Sequence, residues 1–325
     1  MERIDVKDRK ILYYLSLDSR QSFQKIGKKV GLTKEVVSYR IKRLQELGII
    51  QNFYTDFILT PMGQTIYVRL YFNYQNINPS IKKEIIQHFV DTNEATVVAS
   101  LEGNYDLMVI VICPDIYQIH PYLEHLLMTY GDYFKERYTA MYLIRNQYNP
   151  SFLLDSKTKK LEPHIHRLYQ GISYDELDMN ILKALDLNAR IPITLLAEKL
   201  HSTVSVVHYR LKRLKKLGVI LGFGVNINWD LIGYRFYHVE INLKQYQKRS
   251  EIIRYLMENP YFRSTHQLLG HASDLEVDLI LENVTQLHEV MDTLSTQFSE
   301  SVKDFKYWSI LKIHKEQLFP ARHDG

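Results

Sequence analysis

The chain has one cysteine, Cys113, among 325 residues. That excludes an internal disulfide and any cysteine-built zinc site, and it fits a reducing compartment. Cys113 closes the apolar run 107–113, so packing is its expected role. No apolar run approaches the length of a membrane span. The opening Met1-Glu2-Arg3-Ile4-Asp5 has no signal-peptide core. The expectation is a soluble cytoplasmic protein without a membrane partner. No glycine-rich phosphate loop, Walker sequence or nucleophile elbow is present, so no enzymatic chemistry is signalled. The histidines are scattered; the one close pair, His164 and His166, has no carboxylate or cysteine beside it, and no metal or other cofactor is expected. One-sided charge is also missing. A net charge of +4 permits an acidic partner without demanding one, so the position of the charge matters more than its sum.

What the chain does have is a copy of itself. Asp8-Arg9-Lys10-Ile11-Leu12 matches Asp178-Met179-Asn180-Ile181-Leu182, an offset of 170. The same offset pairs Arg20 with Arg190, Tyr39-Arg40 with Tyr209-Arg210, Gly48 with Gly218 and Gly63 with Gly233. A period this long means two copies of a whole unit, not a solenoid.

Each unit opens on three helical patterns. Asp5 and Asp175 stand at N-cap positions, with Asp8 and Asp178 three residues on. A second helix follows, turned by Gly31 in the first unit and by His201 in the second. The third helix starts at Thr33 or Thr203 and ends at Gly48 or Gly218. Val207, Leu211 and Leu214 share one face; the rest of the surface is basic and hydrogen-bonding. Residues 203–217 carry five Lys or Arg and no acid, whereas 33–47 carry four against Glu35 and Glu46. An amphipathic basic helix preceded by another short helix is the pattern of a helix-turn-helix reader. Short β-type segments after each reader predict a wing.

The second half of each unit alternates strand and helix patterns. Strands are predicted at 66–74, 95–102, 105–113 and 134–146, and at 235–243, 261–269, 274–282 and 303–314. Helices are predicted at 80–91, 115–129, 247–258 and 284–298. The order is β-α-β-β-α-β, a ferredoxin-like arrangement. Its sheet carries helices on one face and leaves a tyrosine-rich face for a partner. The fold class is therefore α+β: two copies of a winged helix-turn-helix followed by a ferredoxin-like βαββαβ domain. The expected boundaries are 1–63 and 64–147, a linker at 148–172 with a short helix near 160–170, then 173–233 and 234–315, with a tail at 316–325.

These residues resemble the Lrp/AsnC, or feast/famine, family of bacterial and archaeal transcriptional regulators. The first unit carries Asp5, Asp8, Ile11-Leu12, Ser19-Arg20, Thr33, Arg40, Leu44 and Gly48-Ile49-Ile50. The second carries Asp175, Asp178, Ile181-Leu182, Ala189-Arg190, Thr203, Arg210, Leu214 and Gly218-Val219-Ile220. The duplication departs from most members, which have one unit per chain. The resemblance implies a non-enzymatic regulator that binds double-stranded DNA. Lys34, Glu35, Ser38, Tyr39 and Lys42, and Val204, Ser205, His208, Tyr209 and Lys212, are the candidates for groove contact. Arg40, Arg43, Arg210, Arg213, Lys215 and Lys216 are the candidates for phosphate. For Arg40 and Arg210 a brace against neighbouring acids is the alternative. The resemblance also implies an effector, often an amino acid, near a Gly-x-x-Asp turn. Gly103 and Asp106 fit it. Gly270 and Asp274 enclose one more residue. Thr139 and Ser309, also 170 apart, are expected to add hydroxyls. The two units are expected to pair through their sheets within one chain as a covalent pseudo-dimer, with further association into a homo-oligomer left open. Two rivals share the scaffold: a siroheme-decarboxylase-like enzyme, which would need His and Arg in the second domains, and a chromatin-like DNA binder of low specificity.

Overall fold

The computed structural model describes residues 4–63, 66–154, 171–270 and 273–317, and the backbone of 161–164. Each unit begins with three helices: α1 (Val6–Leu17), α2 (Phe23–Val30) and α3 (Lys34–Glu46), then α6 (Glu176–Leu187), α7 (Ile193–Lys199) and α8 (Val204–Lys216). Asp5 and Asp175 close full capping boxes with Asp8 and Asp178, which satisfies backbone donors that a helix start leaves open. Gly31 ends α2 at φ 69° and His201 ends α7 at φ 48°. The second turn is thus the same left-handed turn, held by a residue that pays a steric penalty for it.

The strands after each reader do not pair within their own unit. β1 (Ile50–Phe57) pairs antiparallel with β7 (Ile220–Ile227), setting Phe53 opposite Val225 and Thr55 opposite Phe223. The packing crosses over as well. The core around α1 to α3 is completed by Val225, Ile227, Ile232 and Ile280 of the second unit. The core around α6 to α8 takes Phe57, Leu59, Met62, Tyr67 and Ile112 from the first. Each helical domain is therefore stabilised by apolar area that the other unit supplies.

The second domains follow the predicted order. Unit one has β2 (Ile66–Tyr74), α4 (Pro79–Asp91), β3 (Ala95–Gly103), β4 (Leu107–Cys113), α5 (Ile119–Tyr130) and β5 (Phe134–Tyr148). A short strand, β6 (Leu161–His164), pairs with β5, so this part of the expected linker helix is extended instead. Of the His164 and His166 pair, only the backbone of His164 is described; the rest of 155–170 lies outside the described residues. Unit two has β8 (Arg235–Leu243), α9 (Arg249–Glu258), β9 (Phe262–Leu269), β10 (Leu275–Leu281), α10 (Val284–Gln297) and β11 (Val302–Glu316). β11 runs into the expected tail, and 318–325 lie outside the described residues. The four strands of each unit pair as β5–β2–β4–β3 and β11–β8–β10–β9. β3 then pairs with β11, and β9 with β5. The sheet closes on itself as an eight-stranded barrel, which leaves neither unit with a free edge at the seams. Alternation along the strands sets the two faces. Val68, Leu70 and Phe72 turn outward under α4 and α5, and Tyr237, Val239 and Ile241 under α9 and α10. Arg69, Tyr71, His238 and Glu240 alternate with them on the inner face and are buried. This enclosed interior is the tyrosine-rich face expected to need a partner.

Candidate nucleic-acid interface

The candidate readers α3 and α8 bury matched stripes, Val37, Ile41 and Leu44 in one and Val207, Leu211 and Leu214 in the other. Thr33 and Thr203 cap them by accepting from the amides of Val36 and Val206. Outward stand Lys34, Glu35, Tyr39 and Lys42 on α3, with Ser38 half-buried. On α8 the exposed set is Val204, Ser205, His208, Tyr209, Lys212, Lys215 and Lys216. Lys42 lies 3.7 Å from Glu46, and Lys215 sits over the Phe223 ring. Val36 and Val206 are also exposed. Sequence reasoning passed over them because valine reads as core; their place in the first turn, on the outward face, was the available signal.

Four of the expected phosphate contacts are engaged inside the chain. The buried carboxylate of Asp8 receives Arg40 at 2.8 Å and Arg43 at 3.3 Å. Asp178 receives Arg210 at 3.0 Å and Arg213 at 2.9 Å. Asp5 and Asp175 add a second carboxylate to Arg40 and Arg210, each at 2.7 Å. The brace left open for Arg40 and Arg210 is what the structure shows, and it extends to Arg43 and Arg213. Its effect is mechanical: the capped start of the first helix fixes the reader through ion pairs that are partly shielded from water. The phosphate candidates with no such brace are Lys215 and Lys216, both on α8.

A further device went unread in the sequence. Arg20 donates to the carbonyls of Ala189 (2.6 Å) and Ile191 (2.9 Å), while Arg190 donates to those of Ser19 and Gln21. Arg20 also lies over Phe223, and Arg190 over Phe23 and Phe53. The repeated arginine thus clips each helical domain to the other. Its recurrence at both 20 and 190 was legible; its partner in the opposite copy was not.

The six expected effector positions sit at the two barrel seams. The Asp106 carboxylate accepts from the amide of Tyr74 at 2.8 Å, and Asp274 accepts from that of Leu243 at 2.7 Å. Both aspartates tie a hairpin to the neighbouring strand, and the longer second turn does not alter this. Gly103 and Gly270 have φ of 109° and 88°. A Cβ on Gly103 would stand 2.5 Å from the carbonyl oxygen of Tyr307, and one on Gly270 would stand 3.2 Å from that of Thr139. The glycines therefore let each turn approach the last strand of the other unit. This makes Tyr307, not Ser309, the counterpart of Thr139, because the offset has shortened to 168 along the last strands. Thr139 pairs with Leu70 and Tyr307 with Val239. Ser309 is buried and donates to the carbonyl of Phe236.

None of the six lines the cavity of about 320 Å³ between the β1–β7 ribbon and the barrel mouth. Its wall includes Tyr54, Arg69, Arg145, His238, Arg263 and Trp308. Just inside lies a buried polar cluster that the sequence reading did not assemble. His238 Nδ1 is 2.7 Å from Asp278 Oδ1, and His238 Nε2 is 3.0 Å from Glu276 Oε2. His266 Nε2 is 2.7 Å from Asp278 Oδ2, and Arg69 is 3.2 Å from Glu276. Burial opposes a charge on His238, but its hydrogen bonds to Asp278 and Glu276 outweigh that and hold its pKa at about 9. Burial dominates at His266 and pushes it down to about 4. Asp278 sits well below the usual carboxylate range: burial would raise it, and the two histidines prevail. The signal was present as pairs two residues apart on three strands: His238 and Glu240, Ser264 and His266, Glu276 and Asp278.

Comparison with known proteins agrees with this geometry. Residues 4–45 match the AsnC-type helix-turn-helix domain family, and 174–220 match a winged helix-turn-helix DNA-binding family. The HTH-type transcriptional regulator Ptr1 of Methanocaldococcus jannaschii is 31% identical over 123 residues, 38% of this chain and 79% of that one. The chain belongs to the Lrp/AsnC family of transcriptional regulators. It is a DNA-binding regulator of transcription, and α3 and α8 lie within or against the two matched helix-turn-helix segments. The regulator FL11 of Pyrococcus furiosus is 25% identical over 142 residues, covering 44% of this chain and 92% of FL11. Each match spans about one unit of the tandem regulator. A crystal structure of the siroheme decarboxylase NirDL superposes with a TM-score of 0.62 over 98% of this chain and 95% of that one, at 12% identity. That likeness shows a shared two-unit fold. No helix among the described residues is long and apolar enough to cross a membrane.

Proposed function

We propose that the regulator is a covalent pseudo-dimer that reads two unlike DNA half-sites in one binding event. The observation that carries this is the pair of exposed readers held by a reciprocal arginine clip and a shared ribbon. α3 offers Lys34, Glu35, Ser38, Tyr39 and Lys42 to a major groove; α8 offers Val204, Ser205, His208, Tyr209 and Lys212. Lys and Ser reach base acceptors, Glu accepts from cytosine, and Val and Tyr meet thymine methyls. Because the two sets differ, a palindrome satisfies only one of them. Selection of bound sequences from a random pool is expected to return two different half-sites. Their centres should lie about 10 base pairs or a multiple apart. Replacing His208→Ala is expected to relax preference in one half alone. Recovery of one symmetric palindrome overturns the reading.

Modulation by a small effector of amino-acid size belongs to the same proposal. Its place is the cavity, whose volume is at the small end of ligand pockets. Arg145 and Arg263 on its wall suit a carboxylate, and Asp56 and Glu316 suit an ammonium. A second reading, an enzyme acting on a tetrapyrrole, draws support from the buried His238, His266 and Arg69 and from the two-unit fold. A saturable visible spectrum with an iron porphyrin, lost in His238→Ala, would favour it; the small cavity favours the regulator alone.

A further inference from the structure

We propose that His238, His266 and Asp278 form a site for a divalent transition-metal ion of the Zn²⁺ class, with at least one coordination position open to the cavity. One ligand atom from each residue lies within 4.8 Å of the others, and all three side chains are buried. They come from the inner faces of β8, β9 and β10, so three adjacent strands fix their directions. Two imidazoles and one carboxylate are a donor set that first-row divalent ions favour, and three protein ligands leave room for water or a small molecule.

A second observation concerns what stands behind the ligands. His238 Nε2 meets Glu276 Oε2 at 3.0 Å, while Nδ1 points the other way, to Asp278. A carboxylate on the far nitrogen of a metal-binding imidazole fixes the tautomer and aims the other lone pair. The 2.7 Å contact between Nδ1 and Asp278 Oδ1 is a hydrogen bond, and a metal ion would take the place of its proton and keep the Glu276 contact. His266 Nε2 reaches the other oxygen of the same aspartate, so one ion can replace both bridges. Ser264 Oγ also contacts Asp278 and lies 3.4 Å from His266 Nε2.

The charge balance points the same way. Among the described residues, three buried carboxylates, Glu240, Glu276 and Asp278, share this interior with one fully buried guanidinium, Arg69, while Arg145 and Arg263 stand half-buried on the cavity wall. Even with His238 protonated the formal sum over the buried groups is negative, and a divalent ion replacing that proton brings it to zero. Access is provided, because His238, Ser264, His266 and Asp278 all line the cavity. In unit one the matching register positions hold Arg69, Val97, Ala99 and Ile110, so the site is expected once per chain.

The test uses the full chain, stripped with a chelator and titrated with Co²⁺. One ion per chain is expected, with the visible absorption of a low-coordinate Co²⁺ site, and Zn²⁺ should displace it. His266→Gln and Asp278→Asn should abolish the spectrum, and Glu276→Gln should weaken binding by about 10–100-fold. The double variant His164→Ala, His166→Ala should bind as the parent does. X-ray absorption on the Co²⁺-loaded parent should count two imidazoles, and this arm stands even if the buried variants fail to fold. No uptake, uptake that survives both His266→Gln and Asp278→Asn, or a shell without two imidazoles overturns the proposal. DNA binding is not part of the readout, so failure here leaves the half-site reading untouched.

Discussion

The two units share a backbone and diverge in what they place on it. On the readers, the second unit keeps a basic, histidine-bearing surface, while Glu35 and Glu46 offset Lys34 and Lys42 on the first. Inside the barrel the contrast is sharper. Arg69 stands opposite Ile110 and Ala140, whereas His238, at the same register position, stands opposite Asp278 and Trp308. A homodimer would set identical residues across this interior, so two Arg69 guanidiniums would share one buried space. Duplication within one chain removes that constraint. One half carries the cation, the other the anions, and their pairing is worth more in a low dielectric than at the surface.

Separating the units is the largest perturbation of this contrast. Expressed alone, 1–154 and 171–317 would each lose the apolar residues that complete their helical cores, and each would expose two barrel edges. Neither is expected to remain a folded monomer. Sedimentation should show self-association or aggregation; a stable monomer of either half would contradict the crossed packing. Next come the braces, which the two units share. Removing the buried carboxylate in Asp8→Ala or Asp178→Ala leaves two arginines without their partner and should cost about 3 kcal/mol in either unit. Denaturant unfolding measures this, and a large difference between the two variants would mean that the braces are not equivalent. The smallest effect is the titration of the second unit's interior.

The pH dependence has two limbs. His238 is raised to about 9, so its contribution is complete below pH 6.5 and is lost as pH rises through 9. His266 is lowered to about 4, so its contribution is present above pH 6.5 and is lost as pH falls towards 4. In metal-free protein, stability from this cluster should peak near pH 6.5 and fall on both sides by on the order of 1–3 kcal/mol. His238→Gln together with His266→Gln should flatten the profile between pH 5 and 9. Thermal unfolding across pH checks this, and an unchanged profile would place the titration elsewhere.

Much of this was readable in the residues. The capping boxes at Asp5 and Asp175, the stripes of α3 and α8 and the βαββαβ order depend on neighbours three or four positions away, or on alternation along a strand. Such interactions are written locally. The linker helix was misjudged near 161–164 because a short charged segment reads as helix until β5 offers it a pairing edge. The shared role of Thr139 and Ser309 was misjudged because loop lengths change the offset between copies. The four arginines on the readers look alike in sequence whether they face phosphate or Asp8 and Asp178.

By itself the sequence determined that there are two units, where each helix-turn-helix lies, and that each sheet has one face unfit for water. Periodicity and capping are enough for that, since each is decided within a few residues. Only the tertiary structure decided where those sheet faces went, whose carbonyls Arg20 and Arg190 hold, and that His238, His266 and Asp278 meet. Those pairings join residues far apart in the chain, and closure of the barrel brings them within a few ångströms. Nothing local to any of them names the partner.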